Sequence, residues 1–465
     1  MTSPATARLR ISKRRRLLFT FLLTMTVYIA AELICFVVLT FMNLSPLQPK
    51  LRMQQTDIAS GSGVSAGANE PIHPYLGWIH NPQTSPIEKW NGHEIPVNEL
   101  GFKDNGRSIY NRSEDLFIVG IAGGSVAFQF SWEAEKLLKE KLQNHPRVKG
   151  RQIQFVRMAL SGFKQPQQLL ALNYLMSLGA EFDLVVNIDG FNETTLAILE
   201  NAEQGTSIVY PRAWHSRSIT MLDPRDSADA AQLLHLRGKR QEMAKSILAS
   251  NFRWSPILSL VWHTRDQAAY SRLVDLGLNV SKNRRSSFVN HGPVNHHEEG
   301  PPLEEDVVAI WMRCSLQMHQ LCRANKTLYL HVLQPNQYVP DSKPLSTHEL
   351  KKSFDPNGQT RTVVTNVFPQ LQKKGQDLMR QGVAFSDQTQ VFSAVTDTLY
   401  VDPWCHFNTE GNRILGEAIS NVLLKMLDHA DGDGATSIGP DAGNSRKNLI
   451  QAASNVADQP VAGAK

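Results

Sequence analysis

Apolar positions fall into three patterns along the chain, and their succession outlines its architecture. The first is one long block. Leu17 to Met42 is about 26 residues, almost all apolar, long enough to cross a bilayer as a single helix. The second is a set of short continuous apolar runs. Leu116 to Ala122 (LFIVGIA) ends in Gly123-Gly124-Ser125, and Gln152 to Leu160, Asp183 to Ile188, Thr327 to Leu333 and a short run near Val383–Phe385 are of the same kind. Runs of this length bounded by turn residues predict buried strands. The third pattern recurs at helical spacing, over Trp132–Leu142, Gln165–Leu178, Glu304–Ala324, Thr360–Gln381 and Thr409–Leu427. Val391 to Ala394 reads as a turn or half-strand. Strands alternating with helices predict a doubly wound, mostly parallel sheet with helices on both faces.

Polar stretches divide this pattern. Residues 1–16 form a basic N-terminus and 17–42 the apolar span. Residues 43–72 read as a flexible linker, rich in Gln, Ser, Gly and Ala (QQTDIASGSGVSAGANE), that holds the body off the membrane. The folded body is expected over 73–427, opening at Pro74-Tyr75-Leu76-Gly77-Trp78. It is interrupted at about 204–302 by an irregular polar insertion with helical patches near Asp229–Ser250 and Trp262–Leu276. Such insertions form lids, substrate walls or surface decoration. Residues 428–465 (ADGDGATSIGPDAGNS and beyond) have the composition of a disordered tail.

Charge sharpens the reading of the apolar span. The formal net charge is +5 over 465 residues. Arg8, Arg10, Lys13, Arg14, Arg15 and Arg16 precede the span with no acid among them, so the rest of the chain sums to −1. That balance excludes a nucleic-acid surface on the body. Basic residues before the span and few charges after it predict a cytoplasmic N-terminus and an exported body. The run is longer than the apolar core of a signal peptide, and no small-x-small cleavage site follows, which favours an uncleaved anchor. Glu32 lies inside the span, where an ionisable side chain is costly unless it is paired or protonated. Four cysteines do not make a disulfide framework. Cys35 is in the span, and Cys314 and Cys322 sit eight positions apart on one predicted helix, about 12 Å along its axis. Cys405 is left as a possible partner for either. No Cys/His cluster has zinc-ligand spacing.

The candidate chemistry lies where predicted strands end. Ser125 follows the first strand, Ser161-Gly162 the second and Gly190-Phe191-Asn192-Glu193 the third, while Asp402…His406 precedes the last helix. The carboxyl ends of strands in a doubly wound sheet meet at one edge, so these residues share a candidate cleft. Ser125 is a weak nucleophile unless a base takes its proton. His406 supplies a candidate base, and Asp402 a group to fix its tautomer. The N–H groups of Ser125 and Gly162 and the Asn192 side-chain amide are candidate oxyanion donors. Asn192 also begins an Asn-x-Thr glycosylation sequon, as Asn111, Asn279 and Asn325 begin Asn-x-Ser/Thr sequons. A residue in an oxyanion hole carries no glycan, so the Asn192 sequon reads as accidental. Each residue has a plainer role available: Gly162 as a turn glycine, His406 as a satisfied loop histidine, and Asp402-Pro403 as a turn before a capped helix.

In this order and on these elements, the four motifs resemble the blocks of the SGNH/GDSL hydrolases over about Pro74 to Leu427, minus the insertion. The resemblance implies a three-layer α/β/α, flavodoxin-like fold, here preceded by the one transmembrane helix read from the apolar span, and ester hydrolysis or acyl transfer with no metal or cofactor. It makes Ser125 the nucleophile, His406 the base, Asp402 its orienting acid, and Ser125, Gly162 and Asn192 the oxyanion hole. The chain departs from the family pattern at Gly124, where the family has Asp, and at Glu193, also usually Asp. Three residues separate Asp402 from His406 where two are usual. The extra residue is expected to rotate the carboxylate, which leaves a backbone carbonyl as the alternative partner for His406. Three functions follow as expectations: an exported, membrane-anchored esterase acting on a small-molecule or glycan ester, an O-acyltransferase whose insertion acts as a lid, or a non-catalytic anchor that keeps the fold.

Overall fold

The computed structural model describes residues 12–42, 44, 49–60, 70–85, 87–218, 227–283, 288–293 and 302–432. Five strands, β5 (Leu116–Gly123), β6 (Gln152–Arg157), β7 (Leu184–Asp189), β8 (Leu328–Leu333) and β9 (Ala384–Asp387), make one sheet in the order β6-β5-β7-β8-β9. Every pairing in it is parallel. All six residues of β7 are buried and β5 is buried along nearly its whole length. A strand covered on both faces needs apolar side chains on both, which is why these segments read as continuous apolar runs.

Helices α3 (Ser125–Glu133) and α4 (Glu135–Leu142), with α13 (Thr409–Gly432) packed on them, form one outer layer. The other layer holds α5 (Gln167–Ser177), α10 (Leu303–Ala324) and α12 (Gln359–Arg380). The result is a three-layer α/β/α body, as expected. Strand order reverses between β5 and β7, so the β5 and β7 carboxyl ends flank the switch point where open α/β sheets bind ligands. The segment after β7, Asn192–Ala202, is an i→i+5 (π) helix, a wide form frequent at functional sites.

Ahead of the sheet in the chain come two antiparallel hairpins, β1 (Ile72–His73) with β2 (Gly77–Trp78) and β3 (Glu88–Trp90) with β4 (His93–Ile95). Trp78 and Phe102 enter the main core. Asp104 anchors this region through a buried ion pair with Arg157 at the end of β6, at 2.8 Å. The Arg157 guanidinium also lies 4.0 Å from the Trp132 ring centroid.

The N-terminal region differs from expectation. Helix α1 (Lys13–Phe41) covers the predicted span, but α2 (Pro49–Ser60) occupies part of the predicted linker. Within the insertion, α7 (Ser227–Ala249) and α8 (Pro256–Asn283) extend the two predicted helical patches, flanked by the single-turn helices α6 (Trp214–Arg217) and α9 (Phe288–His291). Helix α2 packs on α7, and α8 packs on both α7 and α1. Leu39, Leu51, Ala244, Ile247 and Trp262 form their shared core, separate from that of the sheet. A polar 12-residue segment becomes helical because it buries Leu51 against α7. Tertiary packing, not intrinsic propensity, supplies most helix stability at that length. The predicted tail from 433 onward lies outside the described residues.

Candidate active site

Ser125 is placed by a glycine turn. Gly124 precedes α3, and a Cβ at this position would sit 2.2 Å from Asn192 Nδ2. A side chain would not fit here, so the glycine reflects how closely the segments after β5 and β7 approach. Ser125 is the first residue of α3, where backbone N–H groups lack intrahelical partners and the helix dipole favours negative charge.

His406 and Asp402 sit on the loop before α13, which is secured on several sides. Helix α11 (Thr347–Lys352) carries a capping box formed by Ser346 and Glu349. The buried Glu349 carboxylate pairs with Lys343 at 2.8 Å and accepts the amides of Leu399 and Tyr400, both at 2.9 Å. Gln337 Nε2 donates to the Asp402 carbonyl at 3.0 Å, and the Val401 N–H donates to the His406 carbonyl at 3.0 Å.

Within this loop the extra residue between Asp402 and His406 has a visible place. Cys405 adopts a left-handed backbone with φ +67°, a conformation few non-glycine residues take. Its buried Sγ accepts a hydrogen bond from Gln334 Nε2 at 3.1 Å. That kink returns the carboxylate to the imidazole. The expected rotation away from it is not found: Asp402 Oδ2 lies 2.6 Å from His406 Nδ1. Asp402 Oδ1 accepts the Trp404 amide at 2.8 Å and the His406 amide at 3.3 Å. Burial alone would raise the Asp402 pKa. The His406 hydrogen bond and charge, with these two amides, outweigh it and hold the carboxyl below its ordinary value. On the other side of the ring, His406 Nε2 lies 2.8 Å from Ser125 Oγ. With Asp402 accepting from Nδ1–H, Nε2 is left as the acceptor for the serine proton.

The two remaining site residues close the same cleft. Gly162, at φ +90°, and Asn192 both line it beside Ser125 and His406. Asn192 Nδ2 is oriented by donating to the Phe163 carbonyl at 2.8 Å, and an amide nitrogen carries a second proton for another acceptor. Glu193 ties the two turns together. Its Oε1 accepts the Gln165 amide at 3.1 Å and Gln168 Nε2 at 2.7 Å, and its Oε2 accepts the Gly190 amide at 2.8 Å. Burial, then the nearby Asp189 charge, push the Glu193 carboxyl up to about 8 against these amides. All five predicted site residues therefore meet in one place.

The cleft has a volume of about 310 Å³, ample for a small acyl group and part of an alcohol. Its walls hold residues that the strand-end motifs do not include. Trp90, Phe128, Phe191 and Trp404 are aromatic, and Glu88 and Arg212 are charged. Arg212, from the start of the insertion, lies across Gly162: a Cβ there would meet its Cδ at 2.9 Å. Its Nε donates to both Glu200 oxygens, at 2.9 and 3.1 Å. No local spacing marks Arg212, because only the return of the insertion to the β6 turn brings it there. The start of the insertion is thus a wall of the cleft. Its helices α7 and α8 pack on α1 and α2. All four cysteines are free, and among the described residues no His, Cys, Asp and Glu group is arranged to hold a metal ion.

Six solved chains are similar to this one, among them two from Bacteroides. One is a presumed acylhydrolase from Bacteroides fragilis, 10% identical, with a TM-score of 0.31, covering 69% of this chain and 91% of its own. The other is a GDSL-like lipase from Bacteroides thetaiotaomicron, also 10% identical, with a TM-score of 0.29 over 68% of this chain and 89% of its own. No protein-family model and no curated protein matches the chain.

Proposed function

We propose that this chain is an exported, membrane-anchored serine esterase of the SGNH/GDSL type, acting on an acyl or acetyl ester of a small molecule or glycan. One observation carries the reading: the continuous line from Ser125 Oγ to His406 Nε2 at 2.8 Å and from His406 Nδ1 to Asp402 Oδ2 at 2.6 Å. In this mechanism His406 takes the Ser125 proton as Oγ attacks the ester carbonyl, and Asp402 stabilises the imidazolium. The tetrahedral oxyanion is held by the N–H groups of Ser125 and Gly162 and the free proton of the Asn192 amide. His406 returns its proton to the leaving alkoxide, and the acyl group remains on Ser125. Water activated by His406 then attacks the acyl-enzyme and regenerates the serine. A depressed Asp402 pKa fits its part, since it must stay ionised beside the imidazolium.

Acyl transfer to a sugar would use the same residues but requires water to be excluded, and product analysis with a sugar acceptor separates it from hydrolysis. Helix α1 supports the anchor. Its most apolar 18-residue window is only 6% buried, unlike a core helix, and so large an exposed apolar surface calls for lipid.

The test uses the full-length protein in detergent, with a fluorophosphonate probe and a short-chain nitrophenyl ester. The wild type should label and turn over, and Ser125→Ala should lose labelling and at least about 10³-fold in kcat. Equal rates for both proteins would end the assignment.

A further inference from the structure

The membrane segment and the insertion meet at one carboxylate. Glu32 on α1 accepts from Tyr28 Oη at 2.6 Å, one turn away on the same helix. It also accepts from Ser255 Oγ at 2.7 Å and from the Ile257 amide at 3.0 Å. Ser255 closes the turn between α7 and α8, and Ile257 lies in the first turn of α8, more than two hundred residues along the chain. Farther along, Leu39 shares a core with Trp262. Seven positions separate Glu32 from Leu39 and Ser255 from Trp262, so α8 runs alongside α1 in the same direction. The α7–α8 hairpin therefore points its tip down the anchor.

The register sets the depth of that tip. Glu32 lies sixteen positions beyond Arg16, the last basic residue before the span, or roughly 24 Å at 1.5 Å per residue. The hydrocarbon layer is about 30 Å thick, so a helix with Arg16 at the cytoplasmic interface carries Glu32 just below the outer headgroups. The composition of the tip suits that level. From Ser246 to His263 there is a single charge, Arg253, and no acid. Phe252 is 72% exposed and Trp254 56% exposed. The Arg52 guanidinium stacks 4.5 Å from the Trp254 ring centroid, with that of Arg253 at 5.6 Å, and Arg52 also donates to the Arg253 carbonyl. Aromatic rings beside arginines are the side chains that settle at a membrane–water boundary.

We propose that the α7–α8 hairpin is a membrane-docking element. Its tip, residues 250–257, sits in the outer-leaflet interface of the bilayer that α1 spans, held by Glu32, with Phe252 and Trp254 among the lipids and Arg52 and Arg253 at the phosphates. The inference rests on the anchor reading above, and it makes the insertion a rigid mount for the body in place of a slack tether.

The experiment uses full-length protein in phosphatidylcholine–phosphatidylglycerol vesicles, with Cys35→Ala as background, since the other cysteines are buried. An environment-sensitive NBD fluorophore is placed at Phe252→Cys or, as a control on the exposed face of α11, at Lys351→Cys. Flotation with the vesicles is measured first, then quenching by lipids bearing a nitroxide on the headgroup or shallow acyl chain. The protein should float, and the probe at 252 should lose emission at least about twofold more than the probe at 351. Flotation with equal quenching at both sites overturns the docking and leaves the anchor standing. A water-shielded probe at 252 that the nitroxide lipids do not quench means that protein covers the tip, and this also overturns it. Failure to float removes the anchor reading and the docking with it.

Discussion

Among the described residues the body holds two Ser–His–Asp lines, and only one of them opens onto a cleft. In the first, Ser125 and His406 line a cleft, with Asp402 behind the imidazole. In the second, His331 Nδ1 lies 2.7 Å from Ser315 Oγ and His331 Nε2 lies 2.8 Å from Asp189 Oδ1. The distances are as good and the residue types are the same. The second set is sealed: none of its three side chains has meaningful solvent contact, and Trp311 Nε1 and Asn187 Nδ2 also donate to Asp189, at 2.7 and 2.8 Å. It serves as a buried polar network that ties β7, β8 and α10 together, of the kind that specifies a core. The difference teaches that a hydrogen-bonded serine and histidine are not enough. A reacting carbonyl needs room beside the hydroxyl and donors aimed at its oxygen, and of the two lines only that of Ser125 has the room.

Three substitutions break or sharpen this contrast. Asp402→Asn has the largest expected effect. The amide no longer fixes the imidazole tautomer, and kcat on a nitrophenyl ester should fall about 10³–10⁴-fold with the fold intact by circular dichroism. A loss below tenfold would make Asp402 a turn residue only. Next is Glu193, whose carboxyl burial and Asp189 push up to about 8. Between its ordinary value and about 8, the folded chain keeps a proton that the unfolded chain releases, so stability should fall as pH rises through that window. Thermal midpoints of the full-length protein from pH 5 to 9 should show this decline, and Glu193→Gln should flatten it. The smallest effect on rate is expected from Ser315→Ala. It leaves a buried imidazole nitrogen unpaired at a cost of about 1–3 kcal/mol in urea unfolding, while kcat stays at the wild-type level. A rate defect matching that of Ser125→Ala would reverse the assignment of the two lines.

Much of the site was legible before any geometry was known. Ser125, Gly162 and Asn192 each follow an apolar run, and the sheet edge then gathers them. Asp402 and His406 were legible as residues, but their contact was not, because it depends on the left-handed backbone at Cys405 and on Gln334, 71 positions away. Arg212 and the aromatic walls had no signal, and neither did the second line, since Ser315, His331 and Asp189 lie on a helix and two strands that read simply as core. Helix α2 was read as linker because its pattern is polar and its partner lies some 180 residues onward.

The chain's own order determined the strands, their alternation with helices, the apolar span and the residue types available for catalysis, because each is set by burial patterns a few residues long. Tertiary structure decided which serine and histidine face open space, how one extra loop residue is absorbed, and where the insertion lands. Those outcomes depend on contacts between segments far apart in sequence, whose local patterns carry no information about each other.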